Sequence, residues 1–162
     1  MQLVSRKTLS DETVRKFFVT HWGSSEMVIS SGVYRCDELD GFAMQDTQGD
    51  LLGLVTFITY DKTLEIISLN SVREGEGVGG RLMKAVEEFA QSMSFSRISL
   101  ITTNDNLHAL RFYQKRGYVL CGIHLDAVAM ARKYKPTIPL VSEDGIPIRD
   151  ELELEKVLGE GV

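Results

Sequence analysis

Residues 72–89 read VREGEGVGGRLMKAVEEF, and four glycines, Gly75, Gly77, Gly79 and Gly80, fall within six positions. An apolar run with strand character lies ahead of them, and an amphipathic helical pattern begins behind them. Glycine lets the backbone approach a ligand closely. The first N–H groups of a helix lack intrahelical acceptors and sit at the positive end of its dipole. Such a join suits the phosphates of a ligand. Gly75, Gly77 and Gly80 satisfy G-x-G-x-x-G, but a dinucleotide site opens a parallel βαβ unit and expects an acid about 20 residues on. Here an antiparallel meander comes first, the later region reads SRISLIT, and the first acid after it is Asp105. Gly75 and Gly80 also have the spacing of a nucleoside-triphosphate loop. Arg81 and Leu82 then stand where that loop needs Lys for the phosphates and Ser or Thr for magnesium. What remains is a pyrophosphate held by backbone alone.

The surrounding pattern must position this loop. Residues 9–20, LSDETVRKFFVT, predict a helix with Ser10 as N-cap, Asp11 and Glu12 in the first turn, and Val14, Phe17 and Phe18 as its apolar stripe. Residues 27–29 and 33–36 have strand content around Ser30-Ser31-Gly32. GFAMQD, LLGLVTFITY and TLEIISLNSV follow as closely spaced strands joined by the turns TQGD and DK. After the glycines, Leu82, Val86, Phe89 and Ala90 recur at helical spacing. RISLIT predicts a strand, NDNLHALRFYQKR a helix ended by Gly117, and YVLCGI another strand. The order describes a mixed α/β sheet. Beyond His124, LDAVAMARKY reads as a short helix, three prolines punctuate a connector, and RDELELEKVL reads as a solvated terminal helix packed through Leu152, Leu154 and Leu158. The expectation is a single domain over 1–162, with a core of about 1–124 and a C-terminal extension, 125–162.

Two motifs carry a resemblance. Glu74-Gly75-Glu76-Gly77-Val78-Gly79, continued by Gly80 and Leu82, resembles the acyl-CoA loop of the GNAT acyltransferase superfamily, Q/R-x-x-G-x-G/A. NLHALRFYQKRGY resembles that family's N-x-x-A-x-x-x-Y-x-x-x-G-F signature at Asn106, Ala109, Tyr113, Gly117 and Tyr118. The two stand in the family's order, separated by one strand, and the likeness covers roughly residues 40–120. THWGSS and the tail EDGIPIRDELELEK look like a bacterial branch of unassigned substrate. The resemblance implies a GNAT-like, mostly antiparallel sheet flanked by helices. It also implies acetyl-CoA as co-substrate without a metal, and transfer of the acetyl group to a primary amine of a small molecule, peptide or protein. Glu74 departs from the usual Gln or Arg, and Glu76 adds a second negative charge beside a polyanion; Arg73, Arg81 and Lys84 can offset them.

The same resemblance distributes roles. Glu74, Gly75, Glu76, Gly77, Val78, Gly79 and Gly80 would cradle the pyrophosphate, and Leu69 would lend backbone groups to the pantetheine arm. Asn106 would hold that arm or cap its helix. Tyr113 would donate its phenolic proton to the departing sulfur. Glu65, on the strand leading to the loop, is the candidate base for an amine that is mostly protonated at neutral pH. A strand carboxylate facing solvent or pairing across the sheet is the alternative. Asp37, Glu38 and Asp40 are fallback acids. Trp22 is a candidate wall for a cationic acceptor, or a core residue. A non-catalytic acyl-CoA sensor or interaction module is the competing function.

Net charge −5 and the absence of a dense Lys/Arg run argue against nucleic acid. No apolar stretch reaches the roughly 20 residues of a bilayer span. No apolar leader opens the chain, and two widely spaced cysteines suit reduced thiols in a cytoplasmic protein. A homodimer through the last strand or the tail is compatible with the pattern.

Overall fold

Ser10 starts the first helix as its sequence requires. Its hydroxyl accepts from Thr13 N–H at 3.1 Å, and Gly23, at φ 77°, closes the helix α1, Asp11–Trp22. Val14, Phe17 and Phe18 are its buried face, and each such side chain stabilises the fold by about 1.5–3 kcal/mol. In this computed structural model, which describes residues 1–159, the strands are β1 Gln2–Ser5, β2 Glu26–Ile29, β3 Gly32–Arg35, β4 Asp40–Gln45, β5 Leu51–Tyr60, β6 Thr63–Ser71, β7 Arg97–Thr103, β8 Val119–His124 and β9 Glu151–Val157. The remaining helices are α2 Val78–Ser92, α3 Leu107–Lys115 and α4 Ala127–Tyr134. Seven strands form a mostly antiparallel sheet in the order β1-β4-β5-β6-β7-β9-β8, and β2 and β3 make a separate hairpin. This is the mixed α/β architecture that the motifs imply.

The chain divides into two compact units. Among the described residues, one comprises Met1–Met27, Tyr34–Ile98 and Leu158 with Gly159; the other comprises Val28–Val33 and Ser99–Val157. In the first, β1, β4, β5 and β6 pair in antiparallel succession. The β4–β5 and β5–β6 pairs bury Ala43, Met44, Leu54, Val55, Leu64 and Ile66, and α2 packs on these strands with its own Val78, Leu82, Met83 and Val86 buried. In the second, β8 pairs antiparallel with β9.

The acidic tail corrects the helix expected of it. Residues 151–157 form β9, not a terminal helix, with Leu154 fully buried. The segment ELELEKV alternates with period two, and pairing with β8 overrides the low strand propensity of glutamate. Glu151 is itself buried, its carboxylate accepting from Ser30 N–H at 2.8 Å. β1, which the sequence reading left without structure, pairs Leu3 with Met44.

Asp37 of the first unit is fully buried. Arg15 Nε donates to its Oδ2 at 3.1 Å, the Arg35 guanidinium lies 3.8 Å away, and buried Arg6 donates to its backbone carbonyl at 2.6 Å. Arg6 also bonds Asp11 and the Leu9 carbonyl. Burial pushes the Asp37 carboxyl up, but hydrogen bonds from Ser25 and Arg15 and the charge of Arg35 outweigh it, so the net shift is downward. A carboxyl lowered in the folded state contributes stability above its unfolded value, near about 3.9, and loses it as pH falls through the folded value. Asp37→Asn is therefore expected to cost about 2 kcal/mol at pH 7, because both paired arginines are half-exposed. The gap from wild type should begin to narrow in urea melts run below about pH 4 and close once the pH is below the lowered folded value. A pH-independent gap would remove the ion pairs as its cause.

Candidate functional site

The glycine loop joins β6 to α2 in the first unit. Val72 N–H donates to Leu52 O at 2.9 Å and Ser71 Oγ to Arg73 O at 3.1 Å, fixing where the loop leaves the sheet. Gly75 and Gly77 take left-handed backbone, φ 80° and 75°, which a side chain would strain. Gly77 is the N-cap of α2 and has no side chain to cap it; Arg81 N–H donates to Gly77 O at 3.1 Å as the helix begins. The amides of Val78, Gly79 and Gly80 precede that bond, so an anion can be met by backbone N–H groups and the helix dipole. A Cβ on Gly75 or Gly77 would meet no atom within 4 Å, so the loop faces open space.

Charge around the loop is divided. Glu76 lies 3.7 Å from Arg73, which partly neutralises it, whereas Glu74 makes no ion pair among the described residues. Glu74→Gln should thus tighten acetyl-CoA binding up to about fivefold at low ionic strength and have little effect in high salt. Calorimetry at two salt concentrations checks this; an unchanged constant at low salt would show that Glu74 points away from the ligand, and a weaker one that it holds the loop.

Beneath the loop, β6 carries three further groups. Leu69 is half-buried and pairs with Val55. Asn70 follows it, its Oδ1 buried without a hydrogen-bond partner, which is a costly arrangement unless a ligand N–H completes it. Sequence reasoning passed over Asn70; its signal was a lone amide closing an apolar strand one turn before the glycines. Glu65 is 3% exposed, and the Tyr60 hydroxyl donates to its Oε1 at 3.1 Å. It is thus not a solvent-facing strand carboxylate. A register shift between these strands, Thr56 opposite Ser68 and Phe57 opposite Ile66, leaves Ile67 as an extra residue between Glu65 and Leu69.

The other sequence-selected residues of this unit divide. Asp37 is engaged by the arginines described above, which leaves it poorly suited to be a fallback base. Glu38 and Asp40 line a shallow groove with Phe57, Phe89 and Phe95. Trp22 ends α1 half-exposed, with ring contacts to Phe17, Phe18 and His21 of its own helix.

The second motif lies in the other unit. Asn106 Oδ1 accepts from Ala109 N–H at 3.1 Å and so caps α3. The neighbouring Asp105 keeps one carboxylate oxygen buried without a hydrogen-bond partner. Tyr113 is 8% exposed, its ring edge-on to Phe112 and Tyr118 at centroid distances of 5.2 and 5.8 Å. Burial pushes its phenol above the ordinary value. Gly117, at φ 92°, turns the chain after α3, and Tyr118 is buried beneath the Lys156 ammonium.

The family model of the GNAT acetyltransferases matches residues 10–118, which include both motifs. The chain belongs to the GNAT acetyltransferase family. It is 49% identical over 158 residues to the uncharacterized protein YxbD of Bacillus subtilis (strain 168), covering 98% of this chain and 99% of that one. Among solved structures it resembles a Bacillus subtilis acetyltransferase in complex with CoA, at TM-score 0.69 and 20% identity over 98% of this chain and 99% of that one. It also resembles a GNAT acetyltransferase from Elizabethkingia anophelis with acetyl-CoA bound, at TM-score 0.63 and 22% identity over 74% and 76% of the two chains. At these identities the solved structures speak for the GNAT fold.

Proposed function

We propose that this GNAT chain transfers an acetyl group from acetyl-CoA directly to a primary amine of a small molecule or peptide, the whole chain acting as one acyltransferase domain with 125–162 as its extension. The observation that carries the reading is the glycine-capped N-terminus of α2. Its free first-turn amides, open to solvent at the end of a strand that also holds a buried carboxylate, suit an anion. The donor set fits coenzyme A: amides of Val78, Gly79 and Gly80 for the pyrophosphate, and Leu69 backbone and Asn70 Oδ1 for pantetheine amides. Val78 and the acids flanking Gly75 shape the loop around them.

The chemistry is a single displacement. Glu65 takes a proton from the ammonium acceptor, through water where contact is indirect, and the neutral nitrogen attacks the thioester carbonyl. The C–N bond forms, the C–S bond breaks, and the thiolate leaves toward the Tyr113 hydroxyl. Asn106 orders the start of α3, the helix that carries Tyr113. Trp22 offers an aromatic face to a cationic acceptor.

Calorimetric titration with acetyl-CoA, with NADH and ATP as controls, followed by thiol release across an amine panel, tests this. Micromolar binding of acetyl-CoA alone and amine-dependent thiol release are expected. Binding without release on any amine would favour the sensor reading, and no binding would sink both.

A further inference from the structure

α2 starts at the glycine loop and ends, 15 residues later, beside the groove that Glu38 and Asp40 line. At the helical rise its two ends stand about 22 Å apart. The end of α2 builds one wall of the groove. Ser94 takes left-handed backbone, φ 61°, its N–H donating to Gln91 O at 3.1 Å, and Phe95 N–H donates back to Ala90 O at 2.9 Å. This way of closing a helix folds the next apolar side chain against the last turn, and Phe95 joins Phe89 along the groove. The strands build the other wall. Phe57 of β5 lies opposite Asp40 of β4, and cross-strand partners share a face, so the carboxylate stands beside the ring. The Phe89 ring lies 5.4 Å from that of Phe57 and 6.0 Å from that of Phe42, which fixes the aromatic wall by packing. The groove holds about 420 Å³, within the range of small-molecule sites.

Charge selects the occupant. Asp40 is exposed and makes no ion pair among the described residues, whereas Glu38 already faces Arg35 at 3.7 Å. Among the described residues, no Lys or Arg lines the groove. The negative end of the α2 dipole points the same way, and the faces of aromatic rings attract cations. Three sources of negative potential around an apolar floor suit an organic cation that carries an apolar part. They disfavour an anion and give a neutral hydrocarbon nothing beyond burial. Beyond the groove α2 exposes charge, Lys84 pairing with Glu88 at 3.9 Å, so the apolar surface is too confined for a macromolecular face. We propose that this groove binds a small alkyl- or arylammonium ion, at a site separate from the glycine loop.

Benzyltrimethylammonium is the probe, because it is permanently charged and has no N–H to acetylate. Titrated into the isotope-labelled full chain without coenzyme, it should shift the amide signals of Asp40, Phe57, Phe89, Met93 and Phe95. The dissociation constant should lie below about 1 mM. Phenethyl alcohol, neutral and of similar size, should bind at least about tenfold more weakly. Asp40→Asn should weaken the probe at least about fivefold at low salt and less in high salt. Met93 is an exposed lining residue, so Met93→Lys sets a like charge against the probe and should weaken it at least about tenfold. Thermal melting should show both variants folded. No shifts up to about 10 mM, shifts centred elsewhere, equal binding of the alcohol, or indifference to either variant overturns the proposal. The titration needs no acetyl-CoA, so its outcome is independent of acetyl transfer.

Discussion

Tyr113→Phe is expected to slow thiol release from acetyl-CoA about 100-fold while leaving coenzyme binding within about twofold of wild type. The substitution keeps the ring and its edge contacts with Phe112 and Tyr118, so the fold should lose no more than about 1 kcal/mol. What disappears is one hydroxyl. An ordinary phenol titrates near about 10 and a thiol near about 8.5, and burial pushes the Tyr113 phenol further up. Complete transfer of its proton to a departing thiolate is therefore uphill. The hydroxyl would act by hydrogen-bonding sulfur as charge develops, and solvent would supply the final proton. Because the raised phenol stays protonated throughout the working range, Tyr113 should impose no alkaline loss of activity below about pH 10. A Tyr113→Phe variant with normal turnover would assign the residue to packing alone. One with weak coenzyme binding and normal turnover would make it a positioning residue.

Much of this arrangement was legible because its signals are local. Ser10, Gly23 and the Val14-Phe17-Phe18 stripe bound α1, and the glycines mark the start of α2 through a requirement for left-handed backbone that few other residues meet. Asn106 likewise names its own helix. The less legible features depend on partners remote in sequence. Residues 151–157 are strand because β8 is there to pair with them, and their charge density obscured a period-two pattern that was present. Glu65 looks like any strand acid until Tyr60 and the β5–β6 hairpin bury it. The extra residue at Ile67 leaves no mark in composition, since a bulge is a relation between two strands and either one alone reads as regular. Asn70 shows the same limit: its type was visible, but its unsatisfied oxygen is a property of burial.

Two glycines that do not belong to the loop separate folding from binding. An alanine Cβ at Gly41 would sit 1.8 Å from Val55 O, so β4 and β5 would have to part. At Gly53 the added atom would lie 2.6 Å from Val78 Cγ1, 2.9 Å from Asn70 O and 3.1 Å from Leu82 Cδ1. Both helix residues are buried, with no room to yield. Each substitution is expected to cost about 2–3 kcal/mol, because the neighbour is backbone or a packed branched side chain and not a flexible end. Their effects on the coenzyme should differ. Gly53 sets how closely the first turn of α2 approaches β5, and that turn carries the amides proposed to hold the pyrophosphate. Lifting it by a few tenths of an ångström also disturbs Asn70, so Gly53→Ala should weaken acetyl-CoA binding at least about tenfold. Gly41→Ala pushes on Val55, the partner of Leu69, but not on α2, so it should weaken binding less than Gly53→Ala does, measured well below its melting temperature. Equal weakening by both would mean that general loosening of the sheet is responsible. Loss of binding in Gly53→Ala alone would tie the first turn of α2 to the phosphates.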